Sequence, residues 1–146
     1  MTFSKEQVDF LKQPIDPKAV SSREQGKMQL SYLESWYVIN EANRIFGFDG
    51  WWSETVQLDC VHNDEFCVTY IAKVRVTVGN VIREGVGAGH GKGQRVGQGD
   101  KHESAVKEAE SDARKRALMQ FGSQFGLSLY DGKNDRVEFL NDVLND

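Results

Sequence analysis

The sequence predicts an α+β domain: a helix, then a three-stranded antiparallel meander packed on a long helix, a β-β-β-α core. Three observations carry this. Phe66–Val78 alternates with period two, placing Val68, Tyr70, Ala72, Val74, Val76 and Val78 on one face. Thr69, Ile71, Lys73, Arg75 and Thr77 fall on the other. Gly79-Asn80 is a two-residue hairpin signal leading into a short strand, Val81–Val86. In Lys101–Gly126, Ala105, Ala109, Ala113, Ala117, Phe121 and Phe125 recur at i+4, a small-residue stripe suited to close packing on a sheet.

The remaining elements follow in order. Ser4 caps a short helix, Lys5–Lys12, and Pro14 and Pro17 end it in an extended connector. Ala19–Leu30 mixes serines, a glycine and charges of both signs and reads as a loop carrying Arg23 and Lys27. From Leu30 the period turns helical, with Ser31 as a cap, Glu34 three residues on and Gly47 as the stop. Trp51-Trp52 opens a half-buried strand with Val56, Leu58 and Cys60 on one face. Cys60 and Cys67 flank a turn at Asn63-Asp64, and counting back from it makes them cross-strand neighbours. Two reduced thiols or a redox pair both fit that placement.

Gly85–Asp100 holds seven glycines but fits no phosphate motif. Gly91-Lys92 is followed by Gly93 rather than Ser or Thr, and the spacing misses GxGxxG by one residue. It reads as a flexible loop presenting Lys92 and Arg95.

At 146 residues, with 39% hydrophobic and 27% charged residues, the chain fits one globular domain. No signal peptide or membrane span is recognised, and a cytoplasmic location is expected. His62, His90 and His102 have no metal-ligand spacing, no nucleophile signature is present, and no cofactor, metal or catalytic residue is predicted. A two-metal nuclease with carboxylates distant in sequence stays open as an alternative.

Net charge is −4, yet residues 67–116 hold 10 basic and 6 acidic side chains while residues 1–66 hold 6 and 11. Folding can concentrate such a positive middle into one anion-binding groove. Lys73 and Arg75 share a sheet face, which is either solvated and balanced by Glu54 and Glu84 or turned to a phosphate backbone. Arg114-Lys115-Arg116 is the densest basic cluster. Glu103/Lys107, Glu110/Arg114 and Asp112/Arg116 are i,i+4 pairs, and Lys115 has only Ser111 at i−4.

Five segments together resemble the annealing domain of the Rad52 family: VSSR (20–23), SYLESWYVINEANRIFGFDGW (31–51), YIAKVRVTV (70–78), REGVGAG (83–89) and KEAESDARKRALMQFGSQFGLSLYD (107–131). The resemblance covers residues 18–131, with 1–17 a preceding helix and connector and 132–146 an acidic tail. It implies a β-β-β-α core assembled as a closed ring. Single-stranded DNA lies in an outer groove, and complementary strands anneal without ATP.

The resemblance implies DNA contacts at Arg23, at Tyr32 (placed at the start of the first core helix), at Lys115 and at Arg116. The family's next cation falls on Met119. A second family site has Gly79-Asn80 and Val96 where its lysines would stand, with Arg83, Lys92 or Arg95 as substitutes. Lys73, Arg75, Lys92 and Arg95 complete the expected DNA-binding set. The expected partners are single-stranded DNA, further copies of the chain and a single-strand-binding protein or an exonuclease. The compact length suggests the phage or bacterial type, nucleoid-associated in a bacterial or phage-infected cell. The alternative of another class is a module that binds single-stranded DNA or RNA without annealing it.

Overall fold

The computed structural model describes residues 2–129. Helix α1 (Lys5–Lys12) starts at a capping box: Gln7 N–H donates to Ser4 Oγ at 3.1 Å and Ser4 N–H to Gln7 Oε1 at 2.9 Å. Strands β1 (Val20–Gln25) and β2 (Met28–Leu33) form an antiparallel hairpin, Val20 opposite Leu33 and Arg23 opposite Leu30. This corrects the loop expected there. Gly26, at φ +65°, makes the tight reversal that a polar, low-periodicity stretch hid.

Helix α2 (Ser35–Phe46) consequently begins later than Leu30. Glu34 is its N-cap residue and makes no side-chain cap bond, so the Ser31 cap is not formed and Tyr32 lies on a strand. Gly47, at φ +93°, ends the helix as expected, its N–H donating to Asn43 O at 2.9 Å.

Strands β3 (Trp52–Asn63), β4 (Cys67–Val78) and β5 (Val81–Lys92) form the meander in order β3-β4-β5. Helix α3 (Gln98–Met119) lies across the inner face of β4 and β5. Val68, Ala72, Val74, Val76 and Val78 are buried there, as the alternation predicts.

Three expectations change. First, β5 runs to Lys92, so the glycine run is half a strand rather than a loop. Gly85, Gly87, Gly89 and Gly91 are buried at alternate positions beneath α3. A Cβ at Gly87 would overlap Ala113 N, and one at Gly89 would overlap Ala105 O and Ala109 N. Ala105, Ala109, Ala113 and Ala117 are fully buried opposite them, and the helix backbone sits almost on the strand.

Second, β3 is an exposed edge rather than a half-buried strand, because α3 covers the other two strands. Val56, Leu58 and Val61 all remain exposed. Third, β-bulges between Thr55 and Gln57 and between Cys60 and His62 shift the register. Cys60 faces Tyr70 and Cys67 faces Lys92, so the thiols are not cross-strand neighbours.

The outer margin of β5 is held by α3 side chains. Asp112 Oδ2 accepts Ala88 N–H at 3.3 Å, and Gln120 Nε2 donates to Glu84 O at 2.5 Å. The tip of the β3–β4 hairpin is tied to the start of α3. Gln98 Nε2 donates to Asn63 Oδ1 (2.8 Å) and Asp64 O (3.1 Å), and the buried Lys101 ammonium donates to the Glu65 carbonyl. Beyond Met119, Phe121 meets Phe3, Phe46 and Phe125 edge-on, while Phe3 and Phe125 stack with Phe46, closing the core between α1, α2 and α3. These phenylalanines lie in tight turns after the helix, so α3 is shorter than the predicted Lys101–Gly126. The acidic tail at 132–146 lies outside the described residues.

Two glycines make opposite predictions. Gly89→Ala inserts a methyl into the strand–helix seam and should lower unfolding free energy by about 1–3 kcal/mol. Gly99 lies in α3 with nothing within 4 Å of its would-be Cβ. Gly99→Ala should stabilise by up to about 1 kcal/mol. Urea denaturation of both variants checks the pair.

Candidate nucleic-acid interface

The eight expected DNA-binding residues fall into three places. Arg23, Tyr32 and Lys115 meet where the β1–β2 hairpin lies against the C-terminal half of α3. Lys115 is half-buried, and its Nζ donates to Leu33 O at 3.2 Å. The same ammonium lies 5.9 Å from the centroid of the Tyr32 ring, and Arg23 Cζ lies 5.8 Å from it. One aromatic ring thus holds two cations in register, with its negative π-face offsetting their mutual repulsion. Tyr32 Oη donates to Glu34 Oε1 at 3.4 Å, which turns the ring edge toward the start of α2.

Arg116 follows Lys115 but points about 100° away around the helix. Its Nε pairs with Asp112 Oδ2 at 3.1 Å, the predicted i,i+4 contact, and its side chain stays exposed. Glu103 and Lys107 also pair, at 2.6 Å. The third expected pair does not form. Glu110 Oε2 accepts Thr55 Oγ1 at 2.5 Å instead, and among the described residues Arg114 has no ion-pair partner. The edge strand β3 reaches Glu110 from a distance in sequence that helical spacing cannot reveal.

Burial is the main influence on Lys115 and pulls its ammonium below the ordinary lysine range. Asp112 and Glu34 oppose that pull, whereas Arg23 and Arg116 reinforce it. A lysine held this way is poorly solvated and close to two other cations, with the Asp112 and Glu34 carboxylates as its nearby counter-charges.

Lys73 and Arg75 sit on the outer sheet face, away from α3. Arg75 lies between Glu54 (3.4 Å) and Glu84 (3.6 Å), the balanced face considered from the sequence. Lys73 faces Gln57 and Val86 across the strands and has no ion-pair partner among the described residues. Lys92 ends β5 and Arg95 lies in the turn before α3, both exposed. Seventeen residues of helix separate the start of α3 from Lys115, about 25 Å at 1.5 Å per residue. That length keeps Lys92 and Arg95 from the Tyr32 cluster, and the sheet itself separates Lys73 and Arg75 from it. Met119 is half-buried against the core and offers no cation.

Two contributors carry no signal in the sequence. The Leu33 carbonyl has no side-chain signature. Glu34 reads only as part of a cap, because its place beside Tyr32 depends on the unpredicted hairpin. Among the described residues no group of three metal-ligating side chains occurs, and no helix is long and apolar enough to cross a membrane.

Comparison with known proteins identifies the family. The family model described as Rad52/22 family double-strand break repair protein matches residues 4–142. DNA repair and recombination protein RAD52 of Eremothecium gossypii is 38% identical over 135 residues, 86% of this chain and 31% of the relative. RAD52 of Saccharomyces cerevisiae is 37% identical over 139 residues, covering 88% and 29%. DNA repair and recombination protein rad22 of Schizosaccharomyces pombe is 35% identical over 141 residues, covering 88% and 30%. The chain spans about a third of the length of these relatives. They are fungal proteins and lend no support to the phage or bacterial type expected from chain length. On a match that runs through the hairpin, the meander and α3 alike, the chain belongs to the Rad52/22 family of double-strand break repair proteins.

Proposed function

We propose that the chain binds single-stranded DNA in the groove between the β1–β2 hairpin and α3, and anneals complementary strands without ATP as an oligomeric ring. The observation that carries this is the shared Tyr32 ring, with Arg23 and Lys115 each within 6 Å of its centroid and Arg116 one residue on. Backbone contact leaves base edges free, which annealing requires. Few contacts per copy suffice when copies repeat along one strand, so an acidic chain can still bind a polyanion. A role in recombination and double-strand break repair follows from the relatives' names.

Annealing is tested with two complementary labelled oligonucleotides, with and without ATP. Equal acceleration in both is expected. Tight binding without acceleration would favour a binding-only module, and Mg²⁺-dependent degradation would favour a nuclease. Lys115→Glu should abolish binding in a gel-shift titration while leaving the assembly intact. Lys115→Gln should make log affinity less steep against log salt, by about 0.7 for each phosphate that the lysine no longer neutralises.

The pH dependence has a definite sign. The charged ammonium binds phosphate, and burial lowers the pH at which Lys115 loses its proton. Affinity should thus fall as pH rises into the range just below ordinary lysine titration. Lys115→Arg should remove that alkaline fall, as fluorescence anisotropy across pH would show.

A further inference from the structure

A carboxylate stands among the cations of the groove. Glu34 follows directly on Leu33, so Lys115 Nζ, 3.2 Å from Leu33 O, sits on the peptide group that joins the two residues. Tyr32 Oη donates to Glu34 Oε1 at 3.4 Å. The ring of the same tyrosine lies 5.8 Å from Arg23 Cζ and 5.9 Å from Lys115 Nζ. A negative charge at this place is the opposite of what a phosphate-binding groove needs, and it calls for a role.

Two carboxylates favour the charged Lys115 ammonium, Asp112 and Glu34, and they are held very differently. Asp112 Oδ2 accepts Arg116 Nε–H at 3.1 Å and Ala88 N–H at 3.3 Å, which fixes it between α3 and β5. Among the described residues the Glu34 side chain has the Tyr32 hydroxyl as its one hydrogen-bond partner and makes no ion pair. At 3.4 Å that bond is long for an O–H···O contact, so little is lost when it breaks. Glu34 is the N-cap residue of α2, yet its side chain makes no cap bond, so the helix start does not tie it down either. The groove thus contains one fixed carboxylate and one that a competing anion can displace.

We propose that Glu34 is a counter-anion built into the groove: it offsets the Arg23–Tyr32–Lys115 cluster while no strand is bound, and a strand phosphate takes its place when DNA enters. The inference rests on the single-strand reading of this groove and adds what occupies it between strands. Two electrostatic effects then share one sign. Without DNA the carboxylate stabilises the cations, and with DNA it repels the phosphate. Both oppose binding. A groove that holds a strand and later releases it as duplex works faster with such opposition, because a carboxylate is already in place as each phosphate departs.

The test uses the full chain and a labelled single-stranded oligothymidine, read by fluorescence anisotropy. Glu34→Gln keeps the shape and an acceptor for the Tyr32 hydroxyl but removes the charge. It should bind about three- to tenfold more tightly than wild type at low salt. The gain should shrink as salt is raised from about 0.05 M to about 0.3 M, because the repulsion is screened. A chase with unlabelled strand should show the gain mainly as slower dissociation. Glu6, exposed in the first turn of α1, allows the same change in net charge away from the groove, and Glu6→Gln should bind like wild type. Tighter binding cannot come from a variant that fails to fold.

Glu34→Gln that binds like wild type, or more weakly, would overturn the proposal; weaker binding would make Glu34 a support for the Tyr32 ring and nothing more. So would a gain matched by Glu6→Gln, or one that salt leaves unchanged. Lys115→Glu separates this idea from the groove itself. Lost binding there, with Glu34→Gln like wild type, leaves the groove standing and removes the counter-anion. Binding retained in Lys115→Glu removes both.

Discussion

The rest of the structure depends on how closely α3 approaches β5. Three buried glycines on the strand, Gly85, Gly87 and Gly89, meet four fully buried alanines on the helix, and Gly91 meets the Lys101 backbone, with no side chain thick enough to hold the backbones apart. Packing at this distance leaves no room for adjustment, so the helix cannot slide or roll without overlap. It fixes the rotation of α3 about its axis, and so fixes where Lys115 and Arg116 point. Asp112 and Gln120 reach the strand's free backbone groups only because the helix lies so near. The glycine run that resembles a phosphate loop is therefore, over β5, a packing surface, and it acts by fixing the helix above it.

Electrostatics is arranged by place rather than by total. The net charge is −4, but two cations, Arg23 and Lys115, meet where the hairpin crosses α3, with Arg116 beside them on the helix. The cost of gathering them is met by an aromatic ring, a main-chain carbonyl and two carboxylates at the groove's edge. The other basic residues either find carboxylates, as Arg75 does, or lie at a remote margin, as Lys92 and Arg95 do.

The sequence is legible wherever one periodicity rules. The β4 alternation, the α3 alanine stripe and the Ser4 cap appear in the structure as read. Legibility fails where two signals compete. Alternate glycines on β5 have no apolar side chains, so a strand buried against a backbone looks like a loop. The β1–β2 hairpin is polar and short, and its reversal at Gly26 gives no stronger cue than any mixed loop. The cysteine register fails because bulges in β3 cannot be counted from a turn. Arg23, Tyr32, Lys115 and Arg116 come from family resemblance, and no local pattern could join a hairpin to a helix more than eighty residues later.

The hydrogen bond from Lys115 to Leu33 O joins two separately folded pieces, the hairpin and the helix. The Arg23–Tyr32–Lys115 cluster exists only while they stay docked. A two-stranded hairpin is marginal on its own, so local opening of residues 20–32, short of the buried Leu33, would dismantle the cation cluster and leave the sheet and α3 intact. In the proposed binding mode, a strand lying across both pieces binds the docked form alone and holds it closed. Binding in that mode couples the order of the hairpin to that of the helix, through the Leu33 carbonyl and the buried Leu33 side chain.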